Sequence, residues 1–134
     1  QEVFKPLLEK TTNITQNIID DISNKKPQMV IRSMWGNISP KGGMNFTHIH
    51  PSGWMSGVYY IQLPKDNNVI TFEDPRPARM MDFQRSCLVK DEYFDYQVKV
   101  GDLILFPSWL PHFVLPNTSE ENRISISFNI ELLV

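Results

Sequence analysis

Three histidines are the residues of this chain whose type and spacing best suit metal chemistry. His48 and His50 are separated by one residue, and His112 lies much later in the sequence. On a strand, residues two apart point to the same face with Cα atoms about 6.6 Å apart. Two imidazoles so placed can share one cation, because each nitrogen needs only about 2.0–2.1 Å to the metal. We therefore predict a metal site of His48, His50 and His112, the alternative being three unrelated polar or half-buried histidines.

The segment 123–129 offers a second chemical feature, an alternation of polar and apolar side chains. Its polar positions are Arg123, Ser125, Ser127 and Asn129. A strand with this pattern has one polar and one apolar face. Because a guanidinium binds a carboxylate through a planar fork of donors, an inner face carrying Arg123 suits a carboxylate pocket. The alternative is a surface strand whose arginine lies in solvent.

The elements that must position these residues are one helix and many short strands. Apolar residues at helical spacing predict a helix over residues 3–23, and the segment 24–27 ends it. Strands are predicted at 29–34, 45–50, 56–63, 69–72, 93–100 and 103–106, from His112 onward, and at 123–129, with a long loop over 73–90. This pattern indicates a mainly β jelly roll. We expect a single domain over 1–134, with an N-terminal helix (1–26) packed on the sheet of a β core (28–134).

Composition excludes several classes of function. The chain has 134 residues, which makes one domain with a modest core, and a formal net charge of −2 without a basic stripe. Nucleic acid is therefore not an expected partner, and no apolar run is long enough to span a membrane. The single cysteine, Cys87, excludes an internal disulfide and a Cys-type zinc site and favours a cytoplasmic location. We interpret Cys87 as structural, and oligomeric state stays open.

Five segments in order resemble the prolyl-hydroxylase-related family of 2-oxoglutarate/Fe(II)-dependent oxygenases. They are 48–51, 56–60, 72–76, 106–112 and 123–129. The resemblance covers the chain from Trp35 onward. It implies a double-stranded β-helix, a jelly roll of the cupin-like kind with the metal at one open end. It also implies Fe(II) and 2-oxoglutarate as cofactors, O2 as co-substrate, and oxidative decarboxylation to succinate.

The resemblance also implies roles for individual residues. His48 corresponds to the first histidine of the family's His-x-Asp pair, and His112 to its distal histidine. Arg123 with Ser125 is similar to the family's anchor for the far carboxylate of 2-oxoglutarate. Tyr60 stands where related hydroxylases place a tyrosine that bonds the same carboxylate.

One position departs from the family pattern, since His50 stands where most of these oxygenases have Asp. Non-haem Fe(II) oxygenases usually bind iron through two histidines and one carboxylate. His50 is then a third ligand, or Asp74 supplies the carboxylate, or water completes the shell while His50 lies in an outer position. We favour His50, because its side chain is predicted to face the same way as that of His48. Asp74 is otherwise a turn residue before Pro75.

The primary substrate is the least determined part of the prediction. We expect a hydroxylase of a peptidyl or small-molecule substrate, with Trp109, Trp54 and Arg76 as substrate contacts and Trp35 in the same apolar wall. A cupin dioxygenase that needs no 2-oxoglutarate is the rival enzyme. This chain lacks the Glu that the cupin pattern expects after His50, which weakens that interpretation. Arg123 favours the 2-oxoglutarate enzyme. The rival outside enzymes is a jelly-roll binding module for a small acid or sugar.

Overall fold

The computed structural model describes residues 4–25, 27–65, 68–77 and 93–133. Within these ranges one helix, α1 (Lys5–Ile22), precedes eight strands. The strands are β1 (Gln28–Ser39), β2 (Asn45–His48), β3 (Met55–Gln62), β4 (Val69–Glu73), β5 (Tyr93–Gln97), β6 (Leu103–Pro107), β7 (His112–Val114) and β8 (Arg123–Leu133). Cys87 and most of the predicted loop over 73–90 lie outside the described residues, whereas Glu73 belongs to β4.

The described strands form two antiparallel sheets. Sheet A has the order β1-β8-β3-β6, and sheet B has the order β2-β7-β4-β5. Consecutive strands cross from one sheet to the other at every step except β4 to β5, which is the connectivity of a jelly roll. The predicted mainly β jelly roll with an N-terminal helix is confirmed.

The apolar core lies between the two sheets, and three of its members also line the cavity described below. Its fully buried members are Tyr60, Ile70, Val98 and Phe106, which come from both sheets. Partly buried side chains of Phe72, Ile104 and Val114, among others, pack around them. The space between the sheets beyond this core is left for polar side chains, which form the site described below.

Helix α1 lies against the outer face of sheet A. Phe4 and Leu8 line one groove together with Met34 and Ile126, so the start of the helix contacts β1 and β8. The helix ends at Ser23, whose backbone is extended and whose N–H donates to Ile19 O at 2.9 Å. No helix in the described residues is long and apolar enough to cross a membrane.

Only one of the three buried positions of α1 is apolar. Thr11, Thr15 and Ile19 are the buried residues, and they follow one another at a spacing of four. Ile22, which the helical spacing of apolar residues predicts to be packed, is 68% exposed. The buried face of the helix is therefore only partly the apolar face that the sequence predicts.

Strand β8 is the strand that joins the outer packing to the interior. It pairs along its whole length with β1 and also pairs with β3, so it lies inside sheet A. Its apolar side chains Phe128 and Ile130 are completely buried. Because side chains alternate along a strand, the intervening polar side chains point to the opposite face, between the sheets.

Gly57 of β3 is required by the packing of this outer face. It lies opposite Phe128 in the β3–β8 register, and a Cβ placed on it would come within 2.2 Å of Phe128 Cζ and 2.9 Å of Leu105 Cδ2. The Phe128 ring is fully buried, and in a close-packed interior an added methyl group must displace its neighbours. Any side chain at position 57 must therefore displace the core.

We expect Gly57→Ala to lower the free energy of unfolding by about 1–3 kcal/mol, the usual effect of overpacking. Gly36→Ala in β1 is the matched control, because a Cβ there meets no atom within 4 Å. It should leave stability unchanged or raise it by up to about 1 kcal/mol, since glycine weakens a strand interior. Urea unfolding of both variants measures the difference. Equal stability of the two variants would contradict this account of the packing.

Candidate metal centre

The pairing of β2 with β7 brings two of the histidines together. His48, the last residue of β2, is the register partner of His112, the first residue of β7. The side chains of directly opposed residues share one face of the sheet, and the two ring centroids are 4.3 Å apart. Sheet pairing alone therefore places these imidazoles side by side between the sheets.

His50 joins them by a different route from the one predicted. The predicted strand over 45–50 is too long, because β2 ends at His48, and strand alternation does not orient His50. Its backbone N–H instead donates to Ser108 O at 2.8 Å, which holds it against the turn that leads into β7. The His50 ring centroid lies 5.0 Å from that of His48 and 5.3 Å from that of His112. The three rings converge as predicted, although the stated reason was wrong for His50.

Backbone carbonyls fix the orientation of two of the rings. His48 Nδ1 lies 2.7 Å from Phe46 O, and His112 Nδ1 lies 2.9 Å from Leu110 O. A carbonyl oxygen only accepts, so in each ring Nδ1 carries a proton, and in the neutral ring Nε2 is the nitrogen that keeps a lone pair. This is the usual outer support of a metal-binding histidine.

The three histidines fit a divalent metal ion in both spacing and charge. Their candidate ligand atoms lie within 4.8 Å of one another, so a short side-chain movement brings all three to bonding distance. Burial, followed by repulsion from His48 and His50, lowers the pKa of His112 to about 4, against an opposing effect of its bond to Leu110 O. Burial and then His48 lower the pKa of His50. Neutral imidazoles are the form that binds metals.

Asp74, the alternative carboxylate ligand, is not brought to the histidines. Its carboxylate accepts from Arg76 Nε at 2.9 and 3.1 Å and from the backbone N–H of Arg76 at 3.1 Å. Within the described part of the chain, the group of side chains able to hold a metal consists of His48, His50 and His112. Asp74 caps a turn in this structure.

The histidines line a cavity of about 110 Å³ between the sheets, together with the predicted carboxylate anchor. Arg123, Ser125 and Tyr60 all contribute to its wall, and they are only 5%, 7% and 4% exposed. The alternative of a solvent-exposed arginine is therefore wrong. The polar face of β8 points inward, and its charge lies in the same cavity as the imidazoles.

Arg123 and Tyr60 give this cavity two strong hydrogen-bond donors. Burial lowers the pKa of the Arg123 guanidinium, and Tyr60 acts in the opposite direction, but an arginine keeps its charge in proteins. Burial also raises the pKa of Tyr60, with Arg123 opposing and Asp102 adding to the shift. The phenol thus stays protonated. A cation and a neutral O–H facing one cavity suit a carboxylate ligand.

The three predicted substrate contacts lie outside this cavity lining. Trp109 is 59% exposed on the turn before β7. Trp54 is half-buried, and its backbone N–H donates to Ile130 O. Arg76 is paired with Asp74. Trp35 is the tryptophan that does line the cavity. Its ring centroid is 6.1 Å from that of His50.

Several cavity residues were missed by sequence reasoning. Asn37 and Asn45 line the cavity and were not predicted. Ser127 and Asn129 also line it, and the sequence placed them on the polar face of the strand without giving them a role. The alternation of Trp35, Asn37 and Ser39 in β1 is the signal that could have found Asn37. It became informative only through the pairing of β1 with β8, which the sequence does not state.

A jelly roll with converging histidines and a buried arginine at one end defines the class of metal-dependent oxygenase and cupin-like proteins. Within that class, the family described as “Putative 2OG-Fe(II) oxygenase” matches residues 33–129. The chain belongs to this family of 2-oxoglutarate/Fe(II) oxygenases. The resemblance found in the sequence is confirmed, and so is the prediction of Fe(II) and 2-oxoglutarate as the family's cofactors.

Solved structures of low sequence identity share the fold. An oxidoreductase of the 2OG-Fe(II) oxygenase family from Burkholderia pseudomallei is 13% identical, with a TM-score of 0.64 over 87% of this chain and 51% of that one. HygX from Streptomyces hygroscopicus, solved with nickel and 2-oxoglutarate bound, is 15% identical, with a TM-score of 0.67 over 98% and 67%. A Pseudomonas putida prolyl-4-hydroxylase is 19% identical, with a TM-score of 0.51 over 75% and 51%.

The chain thus spans about half the length of the Burkholderia and Pseudomonas proteins. A comparison with curated proteins finds no match.

The three-histidine site predicts how Fe(II) affinity responds to single substitutions. We expect His50→Ala to weaken Fe(II) binding by at least about tenfold, as His48→Ala and His112→Ala should, because each removes a nitrogen ligand. Asp74→Asn is the control and should stay within about twofold of the wild type. Anaerobic equilibrium titration with a competing chelator measures all four variants. Normal affinity in His50→Ala with a loss in Asp74→Asn would assign the third ligand to Asp74 instead.

Proposed function

We propose that this oxygenase is a hydroxylase that uses Fe(II), 2-oxoglutarate and O2 to oxidise a peptidyl or small-molecule substrate. One observation carries the proposal: three converging imidazoles and a buried guanidinium line a single small cavity. The first group suits a divalent metal, and the second suits the remote carboxylate of a dicarboxylic acid. The combination fits 2-oxoglutarate better than it fits a ligand with a single polar end.

In this proposal His48, His50 and His112 hold the metal through neutral nitrogens. The carbonyl oxygens of Phe46 and Leu110 keep two of the rings in the tautomer that exposes Nε2. Bound Fe(II) with 2-oxoglutarate would supply activation of O2, with decarboxylation of the co-substrate to succinate. The chain's own contribution is to hold the rings in place before the metal arrives, which lowers the entropy lost on binding.

Arg123, Ser125 and Tyr60 are proposed to bind the far carboxylate of 2-oxoglutarate. The guanidinium offers two parallel N–H groups, and the phenol offers a proton that its raised pKa keeps in place. Buried donors bind an anion more strongly than donors in water do, because the local dielectric constant is low. Apolar walls from Ile70, Phe106 and other core residues exclude water from the same space.

The cavity is small, which bears on the primary substrate. The cavity of about 110 Å³ is small beside the roughly 300–1,000 Å³ of typical ligand pockets. We infer that the bulk of the primary substrate stays outside, beside Trp35, and presents one group to the metal. This supports a peptidyl substrate reaching in with a side chain. Trp109, Trp54 and Arg76 stay predictions as substrate contacts, as do the cytoplasmic location and the oligomeric state.

A cupin-type dioxygenase without 2-oxoglutarate is the second candidate. The observation that favours it is the donor set, since no carboxylate accompanies the histidines in the described residues. Arg123 argues against it, because a guanidinium in the cavity wall suits the carboxylate of an acidic co-substrate. Dependence of O2 uptake on 2-oxoglutarate separates the two candidates, and a binding module would show no O2 uptake with any co-substrate.

Replacement of Arg123 tests the proposed function directly. We expect Arg123→Ala to raise the Kd of 2-oxoglutarate by about 10- to 150-fold while Fe(II) still binds, because hydrogen bonds to charged groups contribute about 1.5–3 kcal/mol. Arg123→Lys keeps the charge without the planar fork and should give an intermediate Kd. Anaerobic titration of the Fe(II)-loaded protein, followed by the weak visible charge-transfer band, gives the Kd. Succinate formation should fall in parallel.

Arg32→Ala is the matched control. Arg32 is exposed on β1 and pairs with Glu131 at 3.0 Å, outside the cavity, so its loss should leave the Kd within about twofold. The proposal fails if folded, Fe(II)-loaded wild type shows no charge-transfer band with 2-oxoglutarate. It also fails if O2 uptake proceeds equally without that co-substrate.

A further inference from the structure

A chain of hydrogen bonds runs along the cavity from its mouth to the proposed carboxylate anchor. Trp35 Nε1–H donates to Asn37 Oδ1 at 3.1 Å. Asn37 Nδ2 donates to Ser127 Oγ at 2.8 Å and, more weakly, to Ser125 Oγ at 3.4 Å. The register explains the contacts, because Trp35 and Asn37 of β1 lie opposite Ser127 and Ser125 of β8. The anchor residue Arg123 lies opposite Ser39, one step further along this face.

The direction of these hydrogen bonds follows from the chemistry of the indole. An indole N–H can only donate, so the Asn37 atom that it contacts must be the amide oxygen. The amide nitrogen of Asn37 therefore faces β8, and it can only donate to the two serine oxygens. The Asn37 amide cannot flip, exchanging its oxygen and nitrogen, while the Trp35 N–H donates to the oxygen.

Because Asn37 donates to both serines, the hydroxyl protons of Ser125 and Ser127 point away from Asn37. Each Oγ uses a lone pair to accept from Asn37, so each hydroxyl proton must find its own acceptor. Ser125 is 7% exposed, and within the described parts of the chain neither Ser125 nor Ser127 donates to any group. Both hydroxyls line the cavity that also contains Arg123, and an anion beside that cation would be an acceptor for both protons.

We propose that Asn37 is a positioning residue that turns the hydroxyl protons of Ser125 and Ser127 towards the carboxylate of the co-substrate. The inference rests on the proposed function, since it takes 2-oxoglutarate as the anion. It adds Ser127 to the groups that bind the carboxylate and gives Asn37 and Trp35 a defined part in arranging them. Asn37 acts through the serines and need not touch the co-substrate itself.

The same chain extends to the mouth of the cavity. Trp35 is 37% exposed, and its ring lies beside His50. Its N–H holds the Asn37 amide in the one orientation that donates to the serines. A substrate that packs on Trp35 would thus act on the group that organises the anchor. Trp35→Phe keeps an aromatic ring but removes the indole N–H together with part of the ring, which releases the amide to rotate.

Asn37→Asp is the decisive variant, because it keeps the shape of the side chain and its bond from Trp35. A carboxylate can only accept, so it would draw the serine protons away from the cavity and place a negative charge near the co-substrate. We expect the Kd of 2-oxoglutarate to rise by at least about tenfold, as for loss of a charge-assisted hydrogen bond. Fe(II) affinity and the thermal midpoint should stay near the wild-type values.

Asn45→Asp controls for the charge alone. Asn45 lines the same cavity from β2, and it has no hydrogen bond to Ser125 or Ser127 in the described structure. We expect at most about a threefold rise in Kd from its longer-range repulsion. Trp35→Phe, which adds no charge, should raise the Kd by about two- to fivefold, the effect of a modest hydrogen bond. In an Asn37→Ala background the same Trp35→Phe change should have no further effect.

The outcomes separate this inference from the proposed function. If the wild type binds 2-oxoglutarate but Asn37→Asp binds it within twofold of the wild type, the role of Asn37 is refuted and the proposed function stands. An equal loss in Asn45→Asp and Asn37→Asp also refutes it, because charge would then explain both. If the wild type itself does not bind 2-oxoglutarate, the proposed function falls and this inference falls with it. If Asn37→Asp is unstable, the double-mutant cycle of Trp35→Phe and Asn37→Ala tests the inference instead. Equal effects of Trp35→Phe with and without Asn37 would then refute it.

Discussion

The antiparallel pairing of β2 with β7 is the constraint on which the site depends. It sets His48 opposite His112, and a shift of one residue would turn one of these rings out of the cavity. The turn before β7 positions His50 and orients His112, because Ser108 O accepts from the backbone N–H of His50 and Leu110 O accepts from His112 Nδ1. One register and one turn thus hold all three imidazoles. Backbone geometry, which most side-chain substitutions do not alter, carries the metal site.

The donor set has an electrostatic consequence. Three neutral imidazoles leave the charge of a divalent ion uncompensated, whereas a histidine-histidine-carboxylate set would remove one unit. A doubly charged dicarboxylic acid can neutralise such an ion, and Arg123 adds a further positive charge at the other end of the cavity. In the proposed site, a histidine in place of the family's aspartate would therefore strengthen the attraction for an anionic co-substrate. The loss of a ligand charge and the presence of Arg123 are both consistent with binding of a doubly charged dicarboxylic acid.

The parts of the site that the sequence predicts are those in which local pattern and fold agree. Arg123 was found because an alternating strand inside a sheet must turn its polar face towards the interior or the solvent. His50 was correctly included for an incorrect reason, since the strand stops at His48 and a turn positions His50 instead. Asn37 was missed because its role depends on the pairing of β1 with β8 across a long stretch of chain. Trp109 could not be separated from Trp35, because composition does not tell which turn faces outward.

The polar lining of the cavity is itself an argument for ligand binding. A jelly roll of this size would be more stable if apolar side chains filled the space between its sheets, because buried charges and hydroxyls lose hydration that they only partly recover. The apolar cluster around Phe106 shows that the same fold can be packed in that way. Beside this cluster, in the cavity wall, Arg123 and Ser125 remain buried, and the amide of Asn37 is held by the indole of Trp35 instead of rotating to relieve the hydroxyls. Serine hydroxyls fixed in this direction are best explained by an anion that accepts from them.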